Sequence, residues 1–447
     1  MRHCLSLFPL PSSPCLRVSV VNPCVSKHRR WKCTHDVSDT THPACRVGLR
    51  SGRLRVRVGH GRSDAHPALV ESECMIPSAV IGRHLSELDT PALCIDLDRM
   101  EGNLQAMAAT HAQAGKQWRP HAKCHKSPAV AHQQMRAGAI GVTVAKVSEA
   151  EVFIQAGIRD VLIANMVVGR QKLERLAGLC RMGTPIVAVD HFAQAEALSE
   201  VCGRLGVRCR VILEVNLGLH RVGVRPGHDT QDLSRGVAGL AHVDLVGLMG
   251  YEGHLLTITD EAEKRDKIGS AMGILGETRE RFVRDGLCAD IVSASGSGSY
   301  QITVHSPHIT ETQAGGGTFA DPFYREKCGV IGLEPALMVV ATVVSRPTLE
   351  RAVLDSGRKS IHPDIYPPRV VGIAGGRTLS DAVNPVLSAE HLTLELGPDS
   401  QDLVIGDRVV LIPGYCDHTN VLHNFFYGVR KEIVECVWPL TARGCIQ

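Results

Sequence analysis

The chain has 447 residues, too many for one ordinary domain, and 44% of them are hydrophobic against 21% charged, the balance of a folded globular protein. A formal net charge of +3 gives no general attraction to nucleic acid or to a membrane surface, and no apolar run approaches the ~20 residues that cross a bilayer. Sixteen cysteines form no CxxC pair or similar metal spacing, so they read as reduced, mostly buried thiols of an intracellular protein.

Residues 1–75 differ from all that follows. They are rich in Arg, Ser and Pro, and over 1–62 Asp36 and Asp39 are the only acids. One reading is an organelle transit peptide. The other is a non-functional extension with Met75 as the natural start, which leaves the protein cytoplasmic. Either way the segment stands outside the fold.

From about residue 85 short apolar runs alternate with helical patterns. PALCIDLD precedes RMEGNLQAMAATHAQAG, WRPHAK precedes KSPAVAHQQMRAG, and GVTVAK precedes VSEAEVFIQAG. DVLIAN, PIVAVD, RVILEVN, LVGLMGYEG, DIVSASG and HITETQAGG continue the series, making nine candidate strands. Repeated strand-then-helix units mean a parallel sheet with helices outside. The glycine fingerprint of an open doubly wound sheet is missing after the first strand, so the fold class is α/β with a (β/α)8 TIM barrel over 86–325. Past residue 326 the helical pattern stops. ALMVVATVVSRP, ERAVLDSG, HLTLELG and DLVIGDRVVLIPG are strands between turn residues, a β-rich domain over 326–447.

Chemistry in a barrel gathers where strands end. In RPHAKCHK (119–126) a strand period puts Arg119, His121, Lys123 and His125 on one face, with Lys123 at the strand's end. A lysine desolvated among cations becomes a nucleophilic amine fit for Schiff-base chemistry, although a lysine snorkelling from a strand end is the plain alternative. SASGSGSY (293–300) follows a late strand and offers the amides of Gly296, Ser297, Gly298 and Ser299 to a phosphate. Together these suggest a phosphorylated aldehyde cofactor, pyridoxal 5′-phosphate (PLP). Arg221 and Tyr251 also lie just after strands, placed for a cofactor ring or for nothing more than a salt bridge and a half-buried aromatic. Tyr415, Cys416, Asp417, His418 and His423 put potential metal ligands within one short loop, which matches no general metal motif.

With RPHAKCHK, AKVSEAEVF, EVNLGLHRVGV, GYEGH, TETQAGGG, LDSGRKS and LSAEH, the chain from about 89 to 444 resembles the D-threonine aldolase and D-serine dehydratase family. The resemblance implies an alanine-racemase-like barrel, a C-terminal β domain, and a first strand near 89–97 that joins the latter. It implies Lys123 as the cofactor lysine, Arg221 and Tyr251 at the ring, Gly298 and its neighbours around the phosphate, and a homodimer acting on a small D-amino acid. It also implies a divalent cation, Mn²⁺ or Zn²⁺, held by a histidine and, two residues later, an aspartate or cysteine. Here Tyr415 stands at the histidine position, which leaves Asp417 with His418 or His423 as the ligand set. A phenol with a pKa near 10 is a poor ligand. Gly317 likewise stands where many relatives carry tyrosine.

Two reactions fit: retro-aldol cleavage of a D-3-hydroxy-amino acid to glycine and an aldehyde, or dehydration to a 2-oxo acid and ammonia. Expelling hydroxide without a Lewis acid is harder than passing a proton to a base such as His418 or His254, and Asp417 fits the aldolase pattern, so the aldolase is preferred. A non-catalytic PLP carrier and a barrel without PLP are the readings from other classes.

Overall fold

The computed structural model describes residues 77–447, so the expectations for the N-terminal segment lie outside the described residues. Strand β1 (Ala92–Asp96) leads into α1 (Leu97–Gln113), whose first turn is capped by the Asp96 carboxylate accepting the Arg99 N–H at 3.0 Å. The barrel then runs β2 (Gln117–Trp118), α2 (Pro128–Ala137), β3 (Val142–Val144), α3 (Val147–Gln155), β4 (Val161–Met166), α4 (Arg170–Leu179) and β5 (Ile186–Val189). It continues with α5 (Phe192–Leu205), β6 (Cys209–Glu214), α6 (His228–Ala238), β7 (Val243–Met249), α7 (Glu261–Arg284), β8 (Ile291–Ala294), α8 (Tyr300–Thr303) and β9 (Glu311–Thr312). Pro128 opens α2 and Gly138, at φ 118°, closes it, the usual division of labour between these two residues.

All neighbouring strands in the order β2-β9-β8-β7-β6-β5-β4-β3 are parallel. The two ends of that order meet. Thr143 N–H donates to the Pro120 carbonyl at 2.9 Å, Ile140 N–H to the Trp118 carbonyl at 2.9 Å, and His121 bridges Thr143 in parallel, which closes the ring. Eight strands suffice because β1 leaves the barrel and pairs with the second sheet.

That sheet is formed by β10 (Leu337–Thr348), β11 (Arg351–Leu354), β12 (Arg369–Ile373), β13 (Ala382–Leu387), β14 (Leu392–Leu396) and β15 (Arg408–Ile412). After the one-turn helix α9 (Cys416–Asn420), β16 (Phe425–Arg430) and β17 (Ile433–Pro439) complete it. Its path is β13-β14-β11-β10-β1-β16-β17, with β15 bridging β10 and β12. β1 is antiparallel to β10 and parallel to β16. The apolar residues of the barrel strands and inner helix faces make one buried core, from Val142 through Leu213 to Val292. A second core joins α1 to the inner face of the second sheet. No helix among the described residues is long and apolar enough to cross a membrane, and the ten described cysteines are all free.

The expected alternation over 119–125 stops early, because β2 ends at Trp118 and 122–124 is a single 3₁₀ turn. Arg119 is 2% exposed and serves the barrel wall. Its Nε and Nη2 donate to Glu311 at 3.0 and 3.1 Å, and its Nη1 to Asp160 at 2.6 Å. His125 is fully buried, edge-on to Phe153, with Nε2 3.3 Å from Gln134 Oε1. Removing Arg119 strands Glu311, itself 3% exposed, as a buried unpaired charge. Arg119→Ala should therefore cost about 3–5 kcal/mol in urea unfolding, while Arg119→Met with Glu311→Leu should recover most of the loss.

Candidate active site

Beyond the strand ends of the barrel lies a cavity of about 310 Å³, lined by residues that follow most of its strands. His121 and Lys123 come from the turn after β2, Ala145 follows β3, Asn165 closes β4, and Arg221 lies beyond β6. Tyr251 follows β7, Ser295, Gly296 and Ser297 follow β8, and Gln313, Gly315 and Gly316 follow β9. The site is assembled by the barrel's regularity and not by any one segment.

Lys123 stands at the cavity's rim with its side chain 45% exposed. It is not sealed from water among cations, as the strand reading expects; its Nζ faces the Oδ2 of Asp417 at 3.6 Å. The turn that carries it is held from several directions. Lys123 N–H donates to His121 Nδ1 at 3.3 Å, and the Asn420 side-chain amide donates to the Cys124 carbonyl. Lys126, at φ 50°, reaches Glu149 at 2.5 Å, and Glu149 in turn accepts the Ala145 and Lys146 N–H groups at 2.9 and 3.0 Å. Loss of solvent, and then the cations Lys123, Lys126 and Arg221, hold the His121 imidazole well below its usual range, so it is neutral at physiological pH.

The floor is made of backbone. A Cβ on Gly315 would stand 2.3 Å from the His121 carbonyl oxygen, and one on Gly316 would stand 2.4 Å from Tyr324 Cε2. Only glycine permits these approaches, and with Gly296 and Ser297 it leaves a surface of main chain and small side chains of the kind that accepts a phosphate. Ser297 Oγ accepts the Gly317 N–H at 3.0 Å and so ties the two loops together. Gly298 and Ser299 turn away. Gly298 packs toward Cys328 and its carbonyl accepts from Lys264 Nζ at 3.1 Å, while Ser299 Oγ donates to the buried Glu252 at 2.6 Å. Gly317 lies against Met107 of α1, outside the cavity lining.

At the other end, the Arg221 guanidinium lies 5.7 Å from the centre of the Tyr251 ring and 3.8 Å from Glu214. Burial pushes the Tyr251 phenol above its ordinary range, so it is a hydroxyl donor at all working pH values. Across from it Tyr324 packs with Phe323 and Tyr415. These residues fit PLP: a reachable amine, a glycine floor for the phosphate, and an arginine and an aromatic flanking the space between.

The residues expected around a divalent cation do not converge. Asp417 Oδ2 accepts the Tyr415 hydroxyl at 3.2 Å. His418 packs edge-on against Tyr415 and His362, at centroid distances of 5.1 and 4.7 Å, and lies exposed. His423 is drawn the other way, with Nε2 2.7 Å from the Ser360 carbonyl. His254 is exposed, with its ring beside Gly218, and does not line the cavity. Among the described residues no group of three His, Cys, Asp or Glu is placed to hold an ion, and the histidine position holds a phenol that is bonded to Asp417, so the donor set does not fit a metal. Sequence reasoning overlooked Asn165, Gln313, Gly315, Gly316 and Tyr324. The GGG run of TETQAGGG was the available signal for two of them.

Residues 95–321 match the family described as alanine racemase, N-terminal domain, and residues 336–429 match the putative serine dehydratase domain. A D-threonine aldolase of Arthrobacter sp. is 34% identical over 370 residues, 82% of this chain and 96% of that protein. A 3-hydroxy-D-aspartate aldolase of Paracoccus denitrificans is 32% identical over 375 residues, 82% of this chain and 95% of that protein. The solved structure of D-threonine aldolase from Filomicrobium marinum superposes with a TM-score of 0.78 at 37% identity, covering 82% of this chain and 98% of that one. With the lysine turn, the glycine floor and the second sheet in place, the chain belongs to the alanine-racemase-fold family of D-threonine aldolases and D-serine dehydratases.

Proposed function

We propose that the chain is a PLP-dependent lyase that cleaves D-3-hydroxy-amino acids of the D-threonine type into glycine and an aldehyde. The observation that carries this reading is Lys123 facing Asp417 at 3.6 Å beside the glycine-floored cavity. An amine for the cofactor stands at the cavity's mouth, and a carboxylate lies beside that amine. PLP, when bound, supplies an electron sink for the substrate's Cα. Lys123 Nζ is the amine placed to bond it. Gly296, Ser297, Gly315 and Gly316 would hold its phosphate, and Arg221 and Tyr251 would flank its ring. Tyr251 and Tyr324 wall the cavity. The same reading makes the protein a homodimer. Dehydration to a 2-oxo acid and ammonia is the second reading, favoured by the match of residues 336–429 to the serine dehydratase domain.

Incubation with D-threonine and PLP separates the two: the first yields glycine and acetaldehyde, the second 2-oxobutyrate. Lys123→Ala should abolish both the activity and the visible absorbance band of lysine-bound PLP. Gly315→Ala, which forces a methyl against the His121 carbonyl, should weaken PLP binding by about tenfold or more, read by titrating that band. Gly102→Ala on α1, where a Cβ meets nothing within 4 Å, is the matched control.

Glu214 sits behind Arg221, 4% exposed, with Oε2 lacking a hydrogen-bond partner. Burial outweighs the nearby arginine and pushes its carboxyl from 4.5 up to about 7. The fold thus favours protonated Glu214, and stability falls as pH rises from about 4.5 through 7. Glu214→Gln removes that term. The gap in thermal stability between variant and parent should move in the variant's favour across this range, by up to about 3 kcal/mol.

A further inference from the structure

Tyr415 and Asp417 stand where the resemblance places the histidine and carboxylate of a cation site, yet they are bonded to each other. The Tyr415 hydroxyl donates to Asp417 Oδ2 at 3.2 Å, and the same oxygen faces Lys123 Nζ at 3.6 Å. Asp417 is 8% exposed, and its second oxygen, Oδ1, is buried with no hydrogen-bond partner in the chain. The phenol is fixed by the rings of Phe323, Tyr324 and His418, at 5.4, 6.1 and 5.1 Å. A buried carboxylate held by one oxygen, with the other lacking a partner and the cofactor lysine alongside, has the free accepting capacity that a proton acceptor for a group on the substrate's Cβ needs.

We infer that Asp417, oriented by Tyr415, takes the proton of the substrate's β-hydroxyl directly, so that cleavage runs without a bound divalent cation. This rests on the aldolase reading and deepens it. In the step, the hydroxyl proton passes to Asp417, and the O–H electron pair becomes the second bond of the aldehyde carbonyl. The Cα–Cβ bond breaks with its pair retained on Cα. Cα then takes a proton to become glycine, and Asp417 gives up the one it holds, so protons and electrons balance. Asp417 is the catalytic residue here, and Tyr415 a positioning residue.

The test uses the full, PLP-loaded chain. Mn²⁺ titrated in and followed by electron paramagnetic resonance should stay free with the parent protein, whereas Tyr415→His should take up one ion per chain. After exhaustive chelation the parent should cleave D-threonine within about twofold of its untreated rate. Asp417→Asn should keep the visible PLP band and the exchange of glycine's α-proton in deuterated water, but lose cleavage by about a hundredfold or more. Tyr415→Phe, which keeps the ring and removes the hydroxyl, should lower cleavage less than Asp417→Asn does. Stoichiometric Mn²⁺ binding by the parent, loss of its activity on chelation with recovery by Mn²⁺, or undiminished cleavage by Asp417→Asn would each overturn the inference and leave the aldolase reading standing. A PLP-loaded parent that cleaves neither D-threonine nor 3-hydroxy-D-aspartate would overturn both.

Discussion

The side-chain amide of Asn420 hydrogen-bonds the carbonyl of Cys124, and so a helix between two strands of the second sheet grips the turn that carries Lys123. Other bonds cross the same boundary. Ser127 Oγ donates to the Pro439 carbonyl at 2.8 Å, Ala442 N–H to the Lys126 carbonyl at 3.0 Å, and Phe323 N–H to the Gly414 carbonyl at 3.1 Å. The barrel alone would present a lysine over a glycine floor, which is a place to bind a cofactor. The second sheet brings a carboxylate, Asp417, to the lysine. The register between the two sheets is therefore a chemical quantity here, because it sets the distance from Lys123 to Asp417.

The charges around that contact are divided by burial. Asp321 is almost wholly enclosed, and burial, with Asp417 adding to it, pushes its carboxyl up to about 7. It accepts the Cys416 and Tyr324 N–H groups at 2.9 and 3.2 Å, which makes it a brace for both walls. His121, ringed by cations, stays neutral, so it adds no further positive charge beside Lys123. Arg221 stands at the far end of the cavity, where its charge meets the aromatic face of Tyr251.

Much of this was legible in the residues. A strand exists within or beside each of the nine expected runs, from ALCID to ET. ALCID and the five from VTV to VDLVGLM are legible because an apolar run is followed by a helix; QW and ET are only two residues long. The second sheet was less readable. RVVGI pairs with a strand about forty residues further on, while AVNPVL pairs with the neighbouring LTLEL and FFYGVR with IVECVWP; these runs show too little alternation to stand out. In the site, residues just past strand ends were found by position: Lys123, Arg221, Tyr251, Gly296 and Ser297 all line the cavity. Spacing misled where a loop coils back on itself. His423 lies six residues from Asp417, yet it spends its nitrogen on Ser360, and Gly298, two residues past Gly296, faces Cys328. Proximity along a loop does not specify which way its side chains turn.

Gly317 donates to Ser297 while its bare α-carbon sits against α1; an added Cβ would meet Met107 Sδ at 2.7 Å. A helix that contributes nothing to the lining thus rests directly on the back of the glycine floor. Met107 is the most compliant kind of core residue, an unbranched chain that conforms to irregular space. Exchanging it for a branched or aromatic side chain would press on that floor from behind. The shape of the cavity floor is consequently adjustable from a position that does not line it, which gives an engineer a tuning point on the far side of the wall.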